Sequence, residues 1–175
     1  MALLQLSYLG DAVLRKKAAP VEVIDDSLRK LASDMIETMY RQEGLGLAAP
    51  QVGVSLRMFV YDNVAVPYGT DPQVIINPEI VEMEGKVRGE EGCLSIPELK
   101  DQVERAERVT IEGLDLDGNE IEIEAEGLAA RIFQHESDHL DGVLFIDRVG
   151  PMKRNLLMSK WNKIREDLVS ERDEA

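Results

Sequence analysis

The chain has 175 residues, a formal net charge of −14, 44% hydrophobic residues and 31% charged residues. This length suits one domain with a hydrophobic core, and we expect residues 1–175 to form a single domain. No apolar run approaches the roughly 18 residues that a membrane-spanning helix needs, and the acidic charge argues against general nucleic-acid affinity. One cysteine excludes an intramolecular disulfide and fits a reducing cytoplasm, where we expect the protein to act without a membrane.

The first predicted helix covers residues 27–42, with Asp26 or Ser27 as its N-cap. Its apolar residues recur at spacings of three and four, as a half-buried helix requires: Leu28, Leu31, Met35 and Met39. Two strand-like segments follow at 57–62 and 73–78, each bounded by turn residues.

The second half of the chain predicts a hairpin and two helices. The hairpin turns at Asp117 and Gly118, a dipeptide that accepts the positive φ of tight turns. In its second arm isoleucines alternate with glutamates, which indicates one buried and one solvated face. A second helix is predicted over about 127–140, and a third helix from Pro151. Because strands and helices are segregated along the chain, the pattern favours an α+β fold with a largely antiparallel sheet.

Both histidines of the chain lie on the second predicted helix, four residues apart. They continue a series with spacings of four, three and four: Leu128, Ile132, His135 and His139. The histidines therefore face the core, and a pair at this spacing can bind one cation. Glu136 stands between them, as in the His-Glu-x-x-His pattern of zinc peptidases, where the glutamate is the general base. Two hydrogen-bonded core histidines with a surface glutamate are the alternative.

A metal held by two histidines needs a third protein ligand. In zinc peptidases this ligand lies downstream, but the glutamates from Glu166 onward stand on a helix whose core face lies elsewhere. Upstream, Cys93 lies in the glycine-flanked segment EGCLSIP. A free cysteine is more often a small core residue than a ligand, so the residue pattern alone leaves both sources open.

Three segments together resemble the signature motifs of the bacterial peptide deformylases: GLGLAAPQVG (44–53), EGCLSIP (91–97) and QHESDHL (134–140). Their order and spacing match, and the similarity extends over nearly the whole chain, from VLRKKAAPV to GVLFIDRV. The short linkers and the helical tail resemble the group typified by Gram-negative enzymes. The resemblance implies mostly antiparallel sheets around a central helix that carries the His-Glu-x-x-His motif, with one N-terminal and one C-terminal helix.

The resemblance also implies a metal held by Cys93, His135 and His139, with water in the fourth position. An open position marks a catalytic rather than a structural site. The family's metal is ferrous iron, one ion per chain, and zinc, nickel or cobalt can occupy the same ligands. The donor set by itself would have indicated zinc.

The implied reaction removes the formyl group from the N-terminal formylmethionine of nascent peptides and releases formate. Water deprotonated by Glu136 attacks the formyl carbon, and Glu136 then gives the proton to the departing amine. The side-chain amide of Gln51 and the backbone N–H of Leu94 are the implied donors to the oxyanion.

The glycine-rich segment is implied to bind the substrate backbone as an added strand, through Gly44, Leu45 and Gly46. This segment lacks the lysine and the serine or threonine of a phosphate-binding loop. The methionine side chain is expected in an apolar pocket, and its candidate wall residues are Glu91, Gly92, Leu128 and Ile132.

Two residues depart from the pattern of the family. Ser137 stands where a large apolar residue is usual, and we expect it to face away from the metal and to thin the packing behind the helix. Arg131 stands where an apolar pocket residue is frequent, and we expect its stem to rim the pocket and its charge to reach solvent. Asp138 is a candidate partner of Arg105, with an exposed aspartate as the alternative.

The C-terminal segment is basic. Between residues 148 and 165 there are no acidic residues and six basic ones: Arg148, Lys153, Arg154, Lys160, Lys163 and Arg165. In Gram-negative-type deformylases the C-terminal helix docks on the ribosome near the peptide exit, and the resemblance implies this partner for the basic helix at 148–170. A solvated helix face is the alternative.

We expect a monomer that acts on N-formylmethionyl nascent peptides. Two other functions were weighed. One is a different metallohydrolase, such as a zincin-like peptidase with a late glutamate ligand. The other is a catalytically inactive, deformylase-like binding protein, against which the presence of every motif residue argues.

Overall fold

The computed structural model describes residues 2–67 and 69–174. Within them the chain forms three α-helices: α1 (Asp26–Arg41), α2 (Gly127–Leu140) and α3 (Pro151–Glu174). It also forms seven strands: β1 (Gly46–Ala48), β2 (Met58–Asp62), β3 (Pro72–Glu84), β4 (Val87–Cys93), β5 (Ile96–Arg105), β6 (Arg108–Leu114) and β7 (Glu120–Glu126). Short 3-10 turns lie at Ala12–Arg15, Ala49–Val52 and Phe145–Arg148.

The strands form two antiparallel sheets. Five strands pair in the order β1-β2-β3-β6-β7, and β4 pairs with β5 in a separate two-stranded sheet. Helix α2 packs against all five strands of the larger sheet, so the predicted α+β fold with a central motif-bearing helix is confirmed. No helix of the described segments is long and apolar enough to cross a membrane.

Helix α1 lies within one residue of the predicted limits, but its predicted cap is wrong. The N-cap is Asp25, whose extended backbone lets its carboxylate accept a 2.9 Å hydrogen bond from the N–H of Leu28. The apolar face of the helix is buried against β1 and β2, with Met35 and Met39 fully inaccessible. The helix therefore supports the strands that lead into the cleft described below.

The predicted hairpin at Asp117 is confirmed as β6 and β7. Gly118 has a φ of +80°, and the Asp115 carboxylate accepts hydrogen bonds from the N–H groups of Asp117 and Asn119. The isoleucines of β7 are half-buried and its glutamates are exposed, as alternation predicts. Helix α2 starts directly after this strand, which places the motif-bearing helix across the sheet.

The hairpin β4–β5 was not predicted, although it carries Cys93. Its buried apolar residues explain the omission: Ile96, Leu99 and Val103 are spaced by three and four, as on a helix face, because Asp101 takes the inward position between Leu99 and Val103. A register irregularity between Gly92 and Cys93 also interrupts the pairing next to the turn.

The helix predicted from Pro151 is confirmed as α3. Leu157 and Trp161 are buried in a cluster with the hairpin β4–β5 and the 3-10 turn at Phe145–Arg148. The indole N–H of Trp161 and the guanidinium of Arg165 both donate to the carbonyl oxygen of Leu9, at 3.0 and 2.8 Å. The C-terminal helix is therefore fixed to the N-terminal segment by polar as well as apolar contacts.

Candidate metal centre and cleft

The predicted ligands come together from two elements. Cys93 ends strand β4, whereas His135 and His139 lie on α2, and their ligand atoms are all within 4.8 Å of one another. Cys93 Sγ is 3.3 Å from His139 Nε2, which is itself 3.3 Å from His135 Nε2. A tetrahedral ion with bonds of about 2.0–2.3 Å holds its ligand atoms roughly 3.3–3.6 Å apart. One thiolate and two imidazoles in this arrangement fit a zinc-like or ferrous ion.

Glu91 orients the first histidine of the cluster. His135 Nδ1 is 2.8 Å from a carboxylate oxygen of Glu91, so an Nδ1–H donor leaves the Nε2 lone pair facing Cys93 and His139. Burial would raise the pKa of Glu91, but hydrogen bonds from Arg105 and His135 outweigh it and hold the pKa well below its usual range. The carboxylate is therefore charged and fixes the tautomer of His135. Sequence reasoning expected Glu91 as a pocket wall and missed this contact.

Glu136 is buried beside the cluster without being one of its ligands. Its Oε1 is 4.0 Å from His135 Nε2, and its Oε2 has no hydrogen-bond partner within the described part of the chain. Burial raises the pKa of Glu136 to about 7. A carboxyl group with such a pKa can take up and release a proton near neutral pH.

Gln51 supplies an oriented amide at the edge of the cluster. The N–H of Ala48 donates to Gln51 Oε1 at 2.9 Å, which turns the amide nitrogen towards Ser95 Oγ at 3.2 Å and Cys93 Sγ at 3.5 Å. The side chain is 1% exposed, so this orientation is fixed by packing. Leu94, the second predicted oxyanion donor, directly follows Cys93 in the turn after β4.

A cleft of about 590 Å³ opens over the cluster. Every predicted site residue except His139 lines it: Gly44, Leu45, Gly46, Gln51, Glu91, Gly92, Cys93, Leu94, Leu128, Ile132, His135 and Glu136. His139 is 1% exposed and lies behind the cleft. Leu128 was expected on the core face of α2, but it is half exposed, because it stands in the first turn of the helix at the mouth of the cleft.

The expected direction of Arg131 is wrong. Its side chain is 12% exposed, and its guanidinium points inward, 2.6 Å from Glu91 Oε2. The pairing of Asp138 with Arg105 is confirmed at 2.6 Å, and Arg148 adds two further bonds to the same carboxylate. Periodicity gave no signal for these ion pairs, because the partners come from separate elements.

Ser137 leaves a local hydrogen-bonding defect, whereas its expected effect on the packing behind the helix stays a prediction. Its hydroxyl is buried, and no hydrogen-bond partner for it exists among residues 2–67 and 69–174. An unpaired buried hydroxyl costs stability without contributing to the metal cluster.

Comparison with known proteins shows to which family the chain belongs. The profile described as polypeptide deformylase matches residues 3–155, most of the chain. The chain belongs to the polypeptide deformylase family. A peptide deformylase from Thermodesulfovibrio yellowstonii is 50% identical over 161 residues, which cover 92% of this chain and 98% of that protein. Another, from Thermotoga maritima, is 50% identical over 157 residues, covering 89% of this chain and 93% of that protein.

Solved deformylase structures agree with the fold. The crystal structure of a peptide deformylase from Legionella pneumophila is 48% identical, with a TM-score of 0.88, over 94% of this chain and 96% of that one. The peptide deformylase of Synechococcus elongatus, solved in complex with actinonin, is 45% identical with a TM-score of 0.85, over 90% of this chain and 86% of that one. The resemblance to bacterial peptide deformylases is thereby confirmed. The chain is an enzyme of a metallohydrolase family, and it carries a Cys-His-His group able to hold a metal.

Proposed function

We propose that the chain removes the formyl group from the N-terminal formylmethionine of nascent proteins and releases formate, using a metal held by Cys93, His135 and His139. The observation that carries the proposal is the convergence of these three ligand atoms next to the buried carboxyl group of Glu136, in a chain of the deformylase family. Neither a zincin-like peptidase nor an inactive binding protein gains support: the third candidate donor is a cysteine, and every predicted site residue belongs to the cluster or lines its cleft.

When bound, the metal supplies a Lewis acid that polarises the formyl carbonyl and lowers the pKa of water. Glu136 accepts the proton of the attacking water and gives it to the departing amine, a role that its raised pKa suits. The amide of Gln51 donates to the developing oxyanion from the position that Ala48 fixes, and the backbone N–H of Leu94 is the second donor.

The substrate backbone adds to strand β1. Among the described residues this strand pairs only with β2 and forms an edge of the five-stranded sheet, so its other side is open to an extended peptide. Gly44 lies close to the Leu94 side chain, because a Cβ there would be 2.7 Å from Leu94 Cδ1 and the leucine would have to shift. Gly44, Leu45 and Gly46 thus present backbone groups to the peptide at the cleft. The methionine side chain enters the cleft beside Gly92, Leu128 and Ile132, with Glu91 beneath.

We propose ferrous iron as the native metal, one ion per chain, with zinc, nickel or cobalt as substitutes. A thiolate with two imidazoles suits all four ions. Cys93 is only half-buried, so a ferrous centre would be open to oxidation of its thiolate. We further infer that residues 1–175 act as one domain, as a monomer and in the cytoplasm.

One experiment tests the reaction and the ligand set together. Protein purified without oxygen is analysed for metal and assayed for formate release from formyl-Met-Ala-Ser, with acetyl-Met-Ala-Ser as the control substrate. We expect about one ion per chain and formate from the formylated peptide alone. Cys93→Ser should lose the metal, whereas a zincin-like peptidase would keep it. Formate-free hydrolysis, or a Cys93→Ser variant with full metal content, would contradict the proposal.

The ribosome near the exit tunnel is the proposed partner of α3. Four of the six basic residues between positions 148 and 165 make ion pairs within the chain: Arg148 with Asp138, Lys153 with Asp101, Arg154 with Asp147 and Arg165 with Asp11. Lys160 and Lys163 have no ion pair within the described residues, and they share the outer face of α3 with the exposed Met152 and Leu156. This face combines unpaired cations with apolar surface, which suits an RNA-rich particle.

The double variant Lys160→Gln/Lys163→Gln should weaken ribosome binding and its dependence on salt, with unchanged hydrolysis of short formyl-peptides. Lys16→Gln/Lys17→Gln is the matched control, because it removes the same charge from an exposed site elsewhere. Equal ribosome affinity of both double variants would exclude this surface. Neutralising Lys153 and Arg154 in addition should weaken binding further.

A further inference from the structure

The metal cluster bridges two elements that have little direct backbone packing. Cys93 belongs to the hairpin β4–β5, the two histidines belong to α2, and the backbones of hairpin and helix approach each other closely at few points. The distance between the thiol and the imidazoles therefore depends on the side chains that join hairpin and helix. A ligand set needs its atoms within a few tenths of an ångström of the geometry of the ion.

Arg131 is the one side chain of α2 that has hydrogen bonds to both strands of this hairpin. On β4 it donates to the carbonyl oxygen of Val87 at 3.1 Å and to Glu91 Oε2 at 2.6 Å. On β5 it donates to the carbonyl oxygen of Val103 at 3.0 Å. A planar guanidinium with several fixed donors can hold three such acceptors at once, which an ammonium group cannot.

The hairpin has a space shaped for this guanidinium. A Cβ on Gly89 would lie 3.0 Å from Arg131 Nη2, 3.1 Å from Cζ and 3.2 Å from Nε. The absence of a side chain on Gly89 therefore lets the arginine lie flat against strand β4. Gly89 does not have a positive φ, so the close approach of Arg131, rather than a turn, accounts for glycine there.

Arg131 also completes the contacts of the carboxylate that orients His135. Glu91 Oε1 lies against His135 Nδ1 and Arg105, and Glu91 Oε2 accepts from Arg105 and Arg131. Both oxygens are thus bound from two sides, and the carboxylate cannot rotate without breaking a bond to an arginine. Since Arg105 comes from β5 and Arg131 from α2, Glu91 of β4 is bound both by the helix and by the other strand of its own hairpin.

We propose that Arg131 is a positioning residue of the metal centre: it fixes the hairpin that carries Cys93 against the helix that carries the histidines, and it immobilises Glu91 behind His135. The inference rests on the proposed metal function and goes beyond it, because the Arg131 side chain has no hydrogen bond to any of the three ligands among the described residues. Removing the Arg131 side chain leaves all three ligands present but lets the distances between their ligand atoms vary. The affinity for the metal therefore falls.

The test measures metal binding directly. The dissociation constant for Zn²⁺ is obtained by competition with a chromophoric chelator, and the melting temperature of the metal-free protein is measured in parallel. Arg131→Ala should raise the dissociation constant by about 10- to 100-fold, the usual effect of losing a residue that supports metal ligands. Arg131→Lys should recover only part of the affinity, because one ammonium group cannot reach Glu91 and both strands together.

Arg88→Ala is the matched control, since it removes the same charge from an exposed position on β4, and its zinc affinity should equal that of the wild type. Co²⁺-loaded protein adds a spectroscopic readout. The thiolate-to-cobalt absorption band should weaken or shift in Arg131→Ala and stay unchanged in Arg88→Ala.

A wild-type dissociation constant in Arg131→Ala overturns the inference, even if the metal-free variant melts earlier, because the arginine would then act on stability alone. If Arg131→Ala does not fold, Gly89→Ala decides in its place: its added Cβ displaces the guanidinium without removing a charge, and it must weaken zinc binding too. A wild-type protein that binds no metal would instead overturn the proposed metal centre, so the two failures are distinct.

Discussion

The carboxylate of Glu136 occupies the space in which a side chain on residue 46 would have to lie. A Cβ on Gly46 would be 2.8 Å from Glu136 Oε1 and 2.9 Å from its Cγ. Gly46 belongs to the edge strand β1 and does not have a positive φ, so the contact, rather than backbone conformation, accounts for glycine at this position. Strand β1, to which the substrate is proposed to add, therefore lies in close contact with Glu136, the proposed general base.

Gly46→Ala should lower kcat/KM by about tenfold to a hundredfold, because a misplacement of roughly 1 Å at a catalytic group has effects of this size. The metal content should stay at the wild-type value, since none of the three ligands moves. Formate release and metal analysis on the same sample check both statements. Gly150→Ala is the control, because a Cβ there meets nothing within 4 Å. Wild-type turnover in Gly46→Ala would show that Glu136 can shift without losing its function.

Glu136→Ala should keep the metal and lose most of kcat, by about 10²- to 10⁴-fold, the usual contribution of a general base. Its Oε1 lies 4.0 Å from His135 Nε2 and outside the ligand set, so removing it leaves the three donors in place. Single-turnover kinetics on metal-analysed protein separate the chemical step from metal loss. Near-normal turnover in this variant would contradict the assignment of Glu136 as the general base.

Ser137→Ala should stabilise the protein by up to about 1 kcal/mol, because it removes a buried hydroxyl for which no partner is described. The melting temperature should rise by roughly 2–4 °C per kcal/mol in a chain of this size. Ser159→Ala, at an exposed position of α3, controls for the higher helix propensity of alanine. A loss of stability beyond the control would mean that water or another group satisfies the hydroxyl.

The stability of the protein should fall in acid partly through Asp11. Burial would raise the pKa of this carboxyl group, but hydrogen bonds from Arg172 and from the N–H of Tyr8, with the charge of Arg165, hold the pKa below its usual value. The unfolded state therefore binds the proton more tightly than the folded state, and the stabilising contribution is present above the unfolded pKa of about 3.9 and is lost as the pH falls through the folded value.

Asp11→Asn should accordingly lower the free energy of unfolding by about 1.5–3 kcal/mol at pH 7, the range for a hydrogen bond to a charged group, and flatten its decline below about pH 4. Arg172 Nη1 lies 2.6 Å from Asp11, so the variant weakens the docking of α3 on the N-terminal segment. Urea unfolding between pH 2 and pH 7 measures the effect, with the exposed Glu22→Gln as control. Parallel pH curves for Asp11→Asn and wild type would contradict it.

The histidine pair and the proposed base could be predicted from residue spacing because their signal is local, whereas Cys93 was chosen as the third donor through the resemblance to the deformylases. The spacing of His135 and His139 is a property of one helix, and Cys93 is the only cysteine of the chain. Helices α1, α2 and α3 were predicted for the same reason, since three- and four-residue periodicity is read within one segment. The strands β4 and β5 were not predicted, because the buried apolar residues of β5 are spaced by three and four, as on a helix face.

The orientation of polar side chains in the site depended on tertiary contacts. Arg131 was expected to reach solvent, yet it lies beneath the cleft, because Glu91 and the carbonyl oxygens of a separate hairpin attract its guanidinium. Glu91 was expected as a pocket wall, yet it also orients His135, which stands 44 residues away along the chain.

By itself, the sequence determined the candidates for the chemistry: two histidines four residues apart on one predicted helix and a glutamate between them, with Cys93 added by the resemblance to the deformylases. Only the tertiary structure decided how they are held. It brings Cys93 to the histidines, turns Arg131 inward and requires glycine at position 46. The physical reason is that helical periodicity acts over four residues, whereas the energy of a buried ion pair depends on which segments pack together.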